Sequence, residues 1–473
     1  MIAKRHTAEV TNDMINNVTH SVTGSVTENV IENVIENVLN NFRQREGFKA
    51  EVFALRSKNT TVEAKGGAVD ALERAGTSGY SIRVLSGKRQ GVSFSTDFDD
   101  WKNTLESAIE TSRWVEPDEY HTIAAGGTYS DMDIYDEESV NTPQSEIIDM
   151  AMEVERAALT YDPRVKSVRK ASCGFSSHEF FLANTEGFSG RYASTSCSAS
   201  AQVMAEDGSG SQMGWSYDGG RFKRTLSPAT IGAEASRRAV ELLGSVKIKP
   251  VKSRVILDNS IACEFLSLIA SSISSENVLK GKSLLKDKVG LKIVSDKINI
   301  IDDALMPGRL GSRPFDGDGT PSMKNTVISE GLLKGFLYNL YTAKKGHGET
   351  TASSARGGLG SLPAVGISNL YVEPSRMAKP TPVERLIEEM GTGLLITDAM
   401  GVHMANRISG DFSIGVSGLW LEGGQVARSV KEAVLSGNLL ELFAKVESVG
   451  NDLKFYGRVG SPSLLIGEVD ISA

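Results

Sequence analysis

Histidine and cysteine are scarce in this 473-residue chain, at six and three. No two histidines have HExxH spacing, and none lies between His178 and His347. A catalytic zinc site needs three protein ligands and an open position for water, and nothing local spells one. Ligands converging in space, such as His347, His403 and an acid, are the alternative; surface or loop histidines are the plainer reading. The cysteines, Cys173, Cys197 and Cys263, include no CxxC pair, and so odd and sparse a set fits a reducing compartment. Cys173 and His178 are close in sequence, but a strand there would not aim one at the other, so a cysteine nucleophile is not expected. There is no G-x-S-x-G. No apolar run reaches membrane-spanning length. The opening MIAKRHTAEVTND lacks the apolar core of a secretory signal. Nor is there a basic excess: 51 Lys plus Arg against 59 Asp plus Glu give −8. That argues against a dedicated nucleic-acid binder. The expectation is a cytoplasmic protein with neither nucleic acid nor membrane as a partner.

What is present points to a globular protein: 40% hydrophobic and 23% charged residues. The length predicts two large domains. The 47 glycines fall mostly at turn-like positions between short apolar runs, which favours strands and hairpins. Valine recurs every four residues from Val18 to Val38. From Thr27 onward Ile31, Ile35 and Leu39 complete an amphipathic helix. A 4.0-residue period drifts around a 3.6-residue helix, so residues 1–25 read as a frayed extension; a partner-binding coiled coil is disfavoured because the repeat is not heptad.

AEVFALRS, TTVEAKGG and the strand–turn–strand from Ile82 to Phe94 read as short β-runs. Helices are expected over 99–115, 145–160 and 228–244. Residues 164–222 are strand-rich, and small residues alternate from Thr195 to Ala205, suiting a strand that something approaches closely. The basic, Pro-containing link after Ser245 marks the domain boundary. Beyond it, a strand is expected over 292–301 and a strand pair around Glu330-Gly331, with a helix as the alternative to its second half. Thr381 to Glu384 reads as a capping box with Pro382 opening the helix and Gly391 closing it. A hairpin is expected at Glu422 to Gln425 and a last helix over 438–449. Helices and hairpins are mixed rather than alternating, so the fold class is α+β, two domains of mixed helices and mainly antiparallel sheets: an N-terminal extension and the start of the first helix over 1–33, one domain over 34–245 and a β-rich one over 246–473.

The second half opens on a helix in which Ile261, Phe265, Leu268, Ile269 and Ile273 share a face, with Asp258 or Asn259 as its cap. This helix has no histidine and a single acid, Glu264.

Six stretches, in order, resemble the TldD/PmbA family, called modulators of DNA gyrase and placed in a zinc-peptidase group: ANTEGFSGRYASTSCSASAQVMAEDG, FDGDGTPSMKNTVISEGLLKGFLYNLYTAKKGHGETT, SNLYVEP, EEMGTGLLITDAMG, GDFSIGVSGLWLEGGQ and SVGNDLKFYG. The TldD branch carries HExxxH on the helix opening its second half and a cysteine near its C-terminus. In this chain those motif positions, counted back from Gly290, fall on Leu266 through Ser271, with Leu266, Ser267 and Ser271 among them, and NDLKFYGRVGSPSLL has no cysteine. The chain therefore resembles the PmbA branch, also called TldE. The resemblance implies a PmbA/TldD-like fold, no metal or other cofactor in this chain, and zinc in a TldD-like partner. The implied assembly is a heterodimer that degrades or trims unfolded peptides, this chain forming part of the substrate chamber, with a homodimer as the other assembly. Arg356 and Asn369, in the Gly-rich segment 352–370, are the expected chamber residues. A protein-binding modulator, related to gyrase or a toxin–antitoxin system, and a self-sufficient homodimeric peptidase are the competing functions.

Overall fold

A computed structural model describes residues 26–42 and 45–472. The expected extension over 1–25 lies outside them. The first helix, α1 (Val26–Phe42), buries Ile31, Val34, Val38 and Phe42 at intervals of three and four. They pack on the start of β1 (Phe48–Lys65), the end of β2 (Ala68–Ser86) and α2 (Trp101–Trp114).

The strand β1 is one 18-residue element, not two short runs. Ser57 to Thr60 reads as a turn locally. Those residues instead sit mid-sheet, paired with β2 on one side and with β4 (Val165–Asn184) on the other, and that tertiary pairing overrides the local signal. Gly66 and Gly67, with φ of +64° and +75°, close the β1–β2 hairpin in the left-handed conformation such turns require. With β3 (Arg89–Ser95), β5 (Ser189–Asp207) and β6 (Gly210–Gly220) these strands form one antiparallel sheet, ordered β3-β2-β1-β4-β5-β6.

Helices α3 (Gln144–Tyr161) and α4 (Pro228–Glu241) cover one face of that sheet. They meet Ala171, Cys173, Cys197, Ala199, Ala201 and Ala205, all buried. The alternation of small residues on β5 is what lets the helices approach. At Gly214 the approach is closest: a Cβ there would lie 2.2 Å from the Ala235 carbonyl oxygen.

In the second half, in chain order, the strands are β7 (Val251–Leu257), β8 (Ile298–Asp303), β9 (Lys324–Ser329), β10 (Leu332–Leu333), β11 (Ser354–Ala355), β12 (Ala364–Val365), β13 (Leu370–Pro374), β14 (Gly393–Met400), β15 (Asp411–Glu422), β16 (Gln425–Asn438), β17 (Val446–Val449), β18 (Lys454–Tyr456), β19 (Val459–Ser461) and β20 (Leu464–Ser472). One sheet runs β10-β9-β8-β13-β19-β18 and another β16-β15-β14-β7-β20-β17, while β11 and β12 pair alone. A β16–β20 pairing closes the second sheet on itself. Only β7–β14 and β13–β19 are parallel among these ladders. The opening helix of this half, α5 (Asn259–Ser272), contributes Ile261, Phe265, Leu266, Leu268 and Ile269 to a core shared with strands of both sheets. Asp258 caps it, its carboxylate accepting from the Ser260 amide at 2.8 Å. The mixed α+β, mainly antiparallel architecture is as expected.

Three local expectations fail for physical reasons. Residues 438–449 are a helix only over Leu439–Ala444, because Val446 to Val449 pair with β20 as strand. The capping box at Thr381 does not form: the Thr381 backbone is held by Val449 and Asn451, its hydroxyl donates to the Lys379 carbonyl, and the helix begins at Val383. The strand expected over 292–301 occupies only its far end, starting at Ile298. Among the described residues no helix is long and apolar enough to cross a membrane.

Candidate functional site: a chamber between the two halves

Period-two alternation gives β4 and β5 two unlike faces. Odd-numbered Cys173, Cys197 and Ala199 turn to the helices. Even-numbered Gly174, Ser176, His178 and Phe180, with Tyr192, Ser194, Ser196 and Ser198 opposite them in register, line a cavity of about 470 Å³. Its other wall comes from the second half: residues 310–313 and 315–317, Ala355, Arg356, Gly457 and Arg458. Three aromatic rings form one corner, with Tyr192 4.7 Å from Phe180 and 5.1 Å from Phe315 between centroids. The serines keep the floor polar and low, leaving room above a flat sheet.

Charge around this chamber is unevenly paired. Arg356 lines it, but its guanidinium is committed: it donates to the Gly317 carbonyl at 2.7 Å and to Glu51, and lies 4.8 Å from the Phe53 ring centroid. Glu51 is fully buried and also takes a two-pronged contact from Arg83, at 3.1 and 3.0 Å. Burial alone would raise the Glu51 pKa; Arg356 and Arg83 outweigh it and hold the carboxyl below its usual range. Asp318 sits 3.9 Å from Arg83 and accepts from the Leu340 amide. This network crosses from the first sheet to the second half and fixes the chamber wall. Asn369 does not line the chamber. It is fully buried behind the wall, its amide donating to the Asp303 carbonyl and the Ser312 hydroxyl while its oxygen accepts from the Gly311 amide. Arg356 and Asn369 are thus supports of the same 311–317 segment, one at its face and one behind. The strand β11 is not an open edge: Ser354 accepts from Gly317, donates to Asp316 and pairs across to Val365.

The residues of α5 do not fit a zinc ion. Leu266 has no exposed surface. The Ser267 and Ser271 hydroxyls are turned back on the helix, donating to the Glu264 and Leu268 carbonyls at 2.6 and 3.0 Å. Cys263 donates to carbonyls of Lys454 and Val459, and burial pushes its thiol up to about 12, so it is not a thiolate at neutral pH. Cys173, pushed up to about 12 by burial, and His178 lie on opposite faces of β4. Among the described residues, no three His, Cys, Asp or Glu side chains gather as metal ligands would. Glu264 is the one acid on the helix. Burial, helped by Asp398, raises its pKa to about 7. Its folded pKa lies above the unfolded 4.5, so the neutral form favours folding at low pH and that contribution is lost as pH rises through about 7. Glu264→Gln is expected to raise the melting temperature at pH 8 by an amount equivalent to about 1 kcal/mol, after allowance for partial exposure, and to change it little at pH 4. Thermal denaturation at both pH values checks this.

Arg221, Arg313, Arg458 and Tyr192, which give the chamber its character, carry no signal in the sequence reading, and His178 enters it only beside Cys173, on the opposite face of β4. The even-numbered run from Gly174 to Phe180 carries a usable period-two signal. The arginines are brought in from distant turns and have none.

The fold is thus a strand-rich two-part body with a chamber between its halves, the second half opening on an apolar helix. Three models of the PmbA/TldA metallopeptidase match it in order: domain 1 over 50–113, the central domain over 137–243 and the C-terminal domain over 250–473. The metalloprotease PmbA of Escherichia coli O157:H7 is 28% identical over 89% of this chain and 92% of its own length. A Thermotoga maritima protein described as a modulator of a DNA gyrase superposes with a TM-score of 0.87 at 28% identity, over 93% of this chain and all of the other. TldE of Thermococcus kodakarensis shares the fold, with a TM-score of 0.83 at 22% identity over 94% of this chain and 100% of its own. The chain belongs to the PmbA/TldD metallopeptidase family.

Proposed function

We propose that this chain is the metal-free subunit of a TldD/TldE-type two-chain metallopeptidase and forms one wall of the chamber in which unfolded peptide is held. The observation that carries the reading is the makeup of α5. Where sister chains of the TldD branch bear HExxxH, this helix presents hydrocarbon buried in a core and hydroxyls bonded to its own backbone. The polar, aromatic-cornered chamber is large enough for a few residues of extended chain. Zinc and the general base would come from the TldD-like partner, through an obligate interface of the size such pairs bury, more than roughly 2,000 Å². This chain's share is binding and positioning; no bond-breaking step runs through its own residues. It acts in the cytoplasm on this reading.

The test is peptidase activity on an unfolded peptide. The isolated chain is expected to show none, and mixing with a TldD-like chain bearing HExxxH is expected to produce chelator-sensitive cleavage. Chelator-sensitive cleavage by the isolated chain would sink the proposal in favour of a self-sufficient homodimer. Capture of gyrase, with no effect on a TldD-like chain's activity, would favour the modulator reading.

A further inference from the structure

Among the described residues, three guanidinium groups on the chamber wall have no carboxylate within ion-pair distance, although Asp302 and Asp316 act on Arg313, and Asp302 on Arg458, from further off. Arg221 is spent on backbone: it donates to the carbonyls of Thr195, Arg309, Leu310 and Ser312 and so pins the 309–312 turn of the second half onto β5, but it makes no ion pair. Arg313 holds its Nε and Nη2 out of solvent without any hydrogen-bond acceptor among the described residues. A buried donor left unmade costs about 1–3 kcal/mol, so this is a standing deficit of negative charge. Arg458 lines the same cavity with solvent access to its side chain, and among the described residues no hydrogen bond or ion pair holds it.

The surrounding groups do not cancel this excess. Arg356 is already neutralised by Glu51. Asp316, the one acid in the lining, accepts from three backbone amides, of Asp318, Thr320 and Ser354, and burial together with Asp318 pushes its pKa up against the opposing pull of Arg313. Asp302 is likewise buried, and its oxygens accept from the Ser368 amide and hydroxyl. Burial and mutual repulsion lower the pKa of Arg221 to about 10 and that of Arg458 as well, and burial with these two arginines lowers that of His178. Three cations crowded in a partly desolvated space persist most easily if an anion joins them. Elsewhere in this network Arg83 shows the satisfied state, its Nε and Nη2 each on one oxygen of Glu51.

We infer that the chamber binds a carboxylate of its peptide, with Arg458 as the contact residue and Arg313 and Arg221 as the positive field that receives it. This rests on the reading of the chamber as a peptide site and adds what it selects: acidic segments or a free C-terminus. The carboxylate accepts from Arg458 and, with a small rotation of the side chain, from the idle edge of Arg313.

Calorimetric titration of the full-length chain with three unstructured peptides of one length tests this. One carries internal Asp and a C-terminal amide, one has those Asp changed to Asn and a free C-terminus, and one has both changes and no carboxylate. At least one carboxylate-bearing peptide is expected to bind about tenfold more tightly than the uncharged one, the value of one charge-assisted hydrogen bond; which of the two does so tells side chain from terminus. Arg458→Gln is expected to abolish the preference and Arg458→Lys to restore part of it, with unchanged circular dichroism in both. Equal binding of all three peptides, or a preference that survives Arg458→Gln, overturns the inference and leaves the chamber reading intact. No binding of any peptide overturns both.

Discussion

Leu266→His is expected to destabilise the second half by about 3–5 kcal/mol and to bring no zinc with it. Leu266 is fully buried in the core shared by α5 and strands of both sheets. An imidazole there loses apolar packing, and it buries two nitrogens with no partner within a shell of aliphatic and aromatic side chains. The neighbouring Ser267 is exposed, so Ser267→His is expected to stay within about 0.5 kcal/mol of the parent. The contrast separates burial from the chemistry of histidine. Denaturation midpoints with and without added zinc check it; a Leu266→His protein that melts with the parent and is stabilised by zinc would mean that the helix faces an open site after all.

Glu51→Ala is expected to cost a similar amount, about 3–5 kcal/mol, by stripping Arg83 and Arg356 of their shared counter-ion inside the protein. Replacing all three by apolar residues is expected to recover most of that loss, since the penalty is an uncompensated charge rather than a missing attraction. The pH dependence has a definite sign. The Glu51 pKa is lowered on folding from its ordinary 4.5. Its contribution is therefore complete above about pH 4.5 and is lost as pH falls through the lower folded value. Asp302, raised by burial to about 6, acts in the opposite sense, favouring folding at low pH and losing that contribution as pH rises toward 6. The parent is expected to show an acid limb in its melting temperature that Glu51→Ala lacks.

Much of this architecture is legible in the residues, and the failures are instructive. Helical faces declare themselves wherever a run meets the core alone: the Ile31, Val34, Val38 stripe and the Ile261 to Ile273 stripe both bury as their spacing predicts. Glycine marks its turns, as at Gly423 and Gly424, whose φ values of +59° and +77° make the β15–β16 hairpin. Strand length is not legible. The break anticipated at Ser57 to Thr60 vanishes because sheet partners on both sides supply what the local sequence withholds. The helix expected over 438–449 stops at Ala444 for the same reason, a strand partner in β20.

The chamber is legible only in part. Arg356, expected at a substrate chamber, borders this cavity as a strut bound to Glu51 rather than a free hand. Asn369, picked out beside it, serves the 311–312 turn from behind. Arg221, Arg313 and Arg458 come from three separated segments, and their convergence depends on how the two halves meet, which no local pattern records.

Metal content bears most directly on the claim that this chain supplies a wall and no metal. The purified chain is exposed to zinc, freed of unbound ion by gel filtration and assayed by elemental analysis, alone and as a mixture with a TldD-like chain. The account predicts no stoichiometric zinc on the chain alone and about one per pair in the mixture. Stoichiometric zinc on the chain alone, lost on substitution of Cys263 or Glu264, would contradict it.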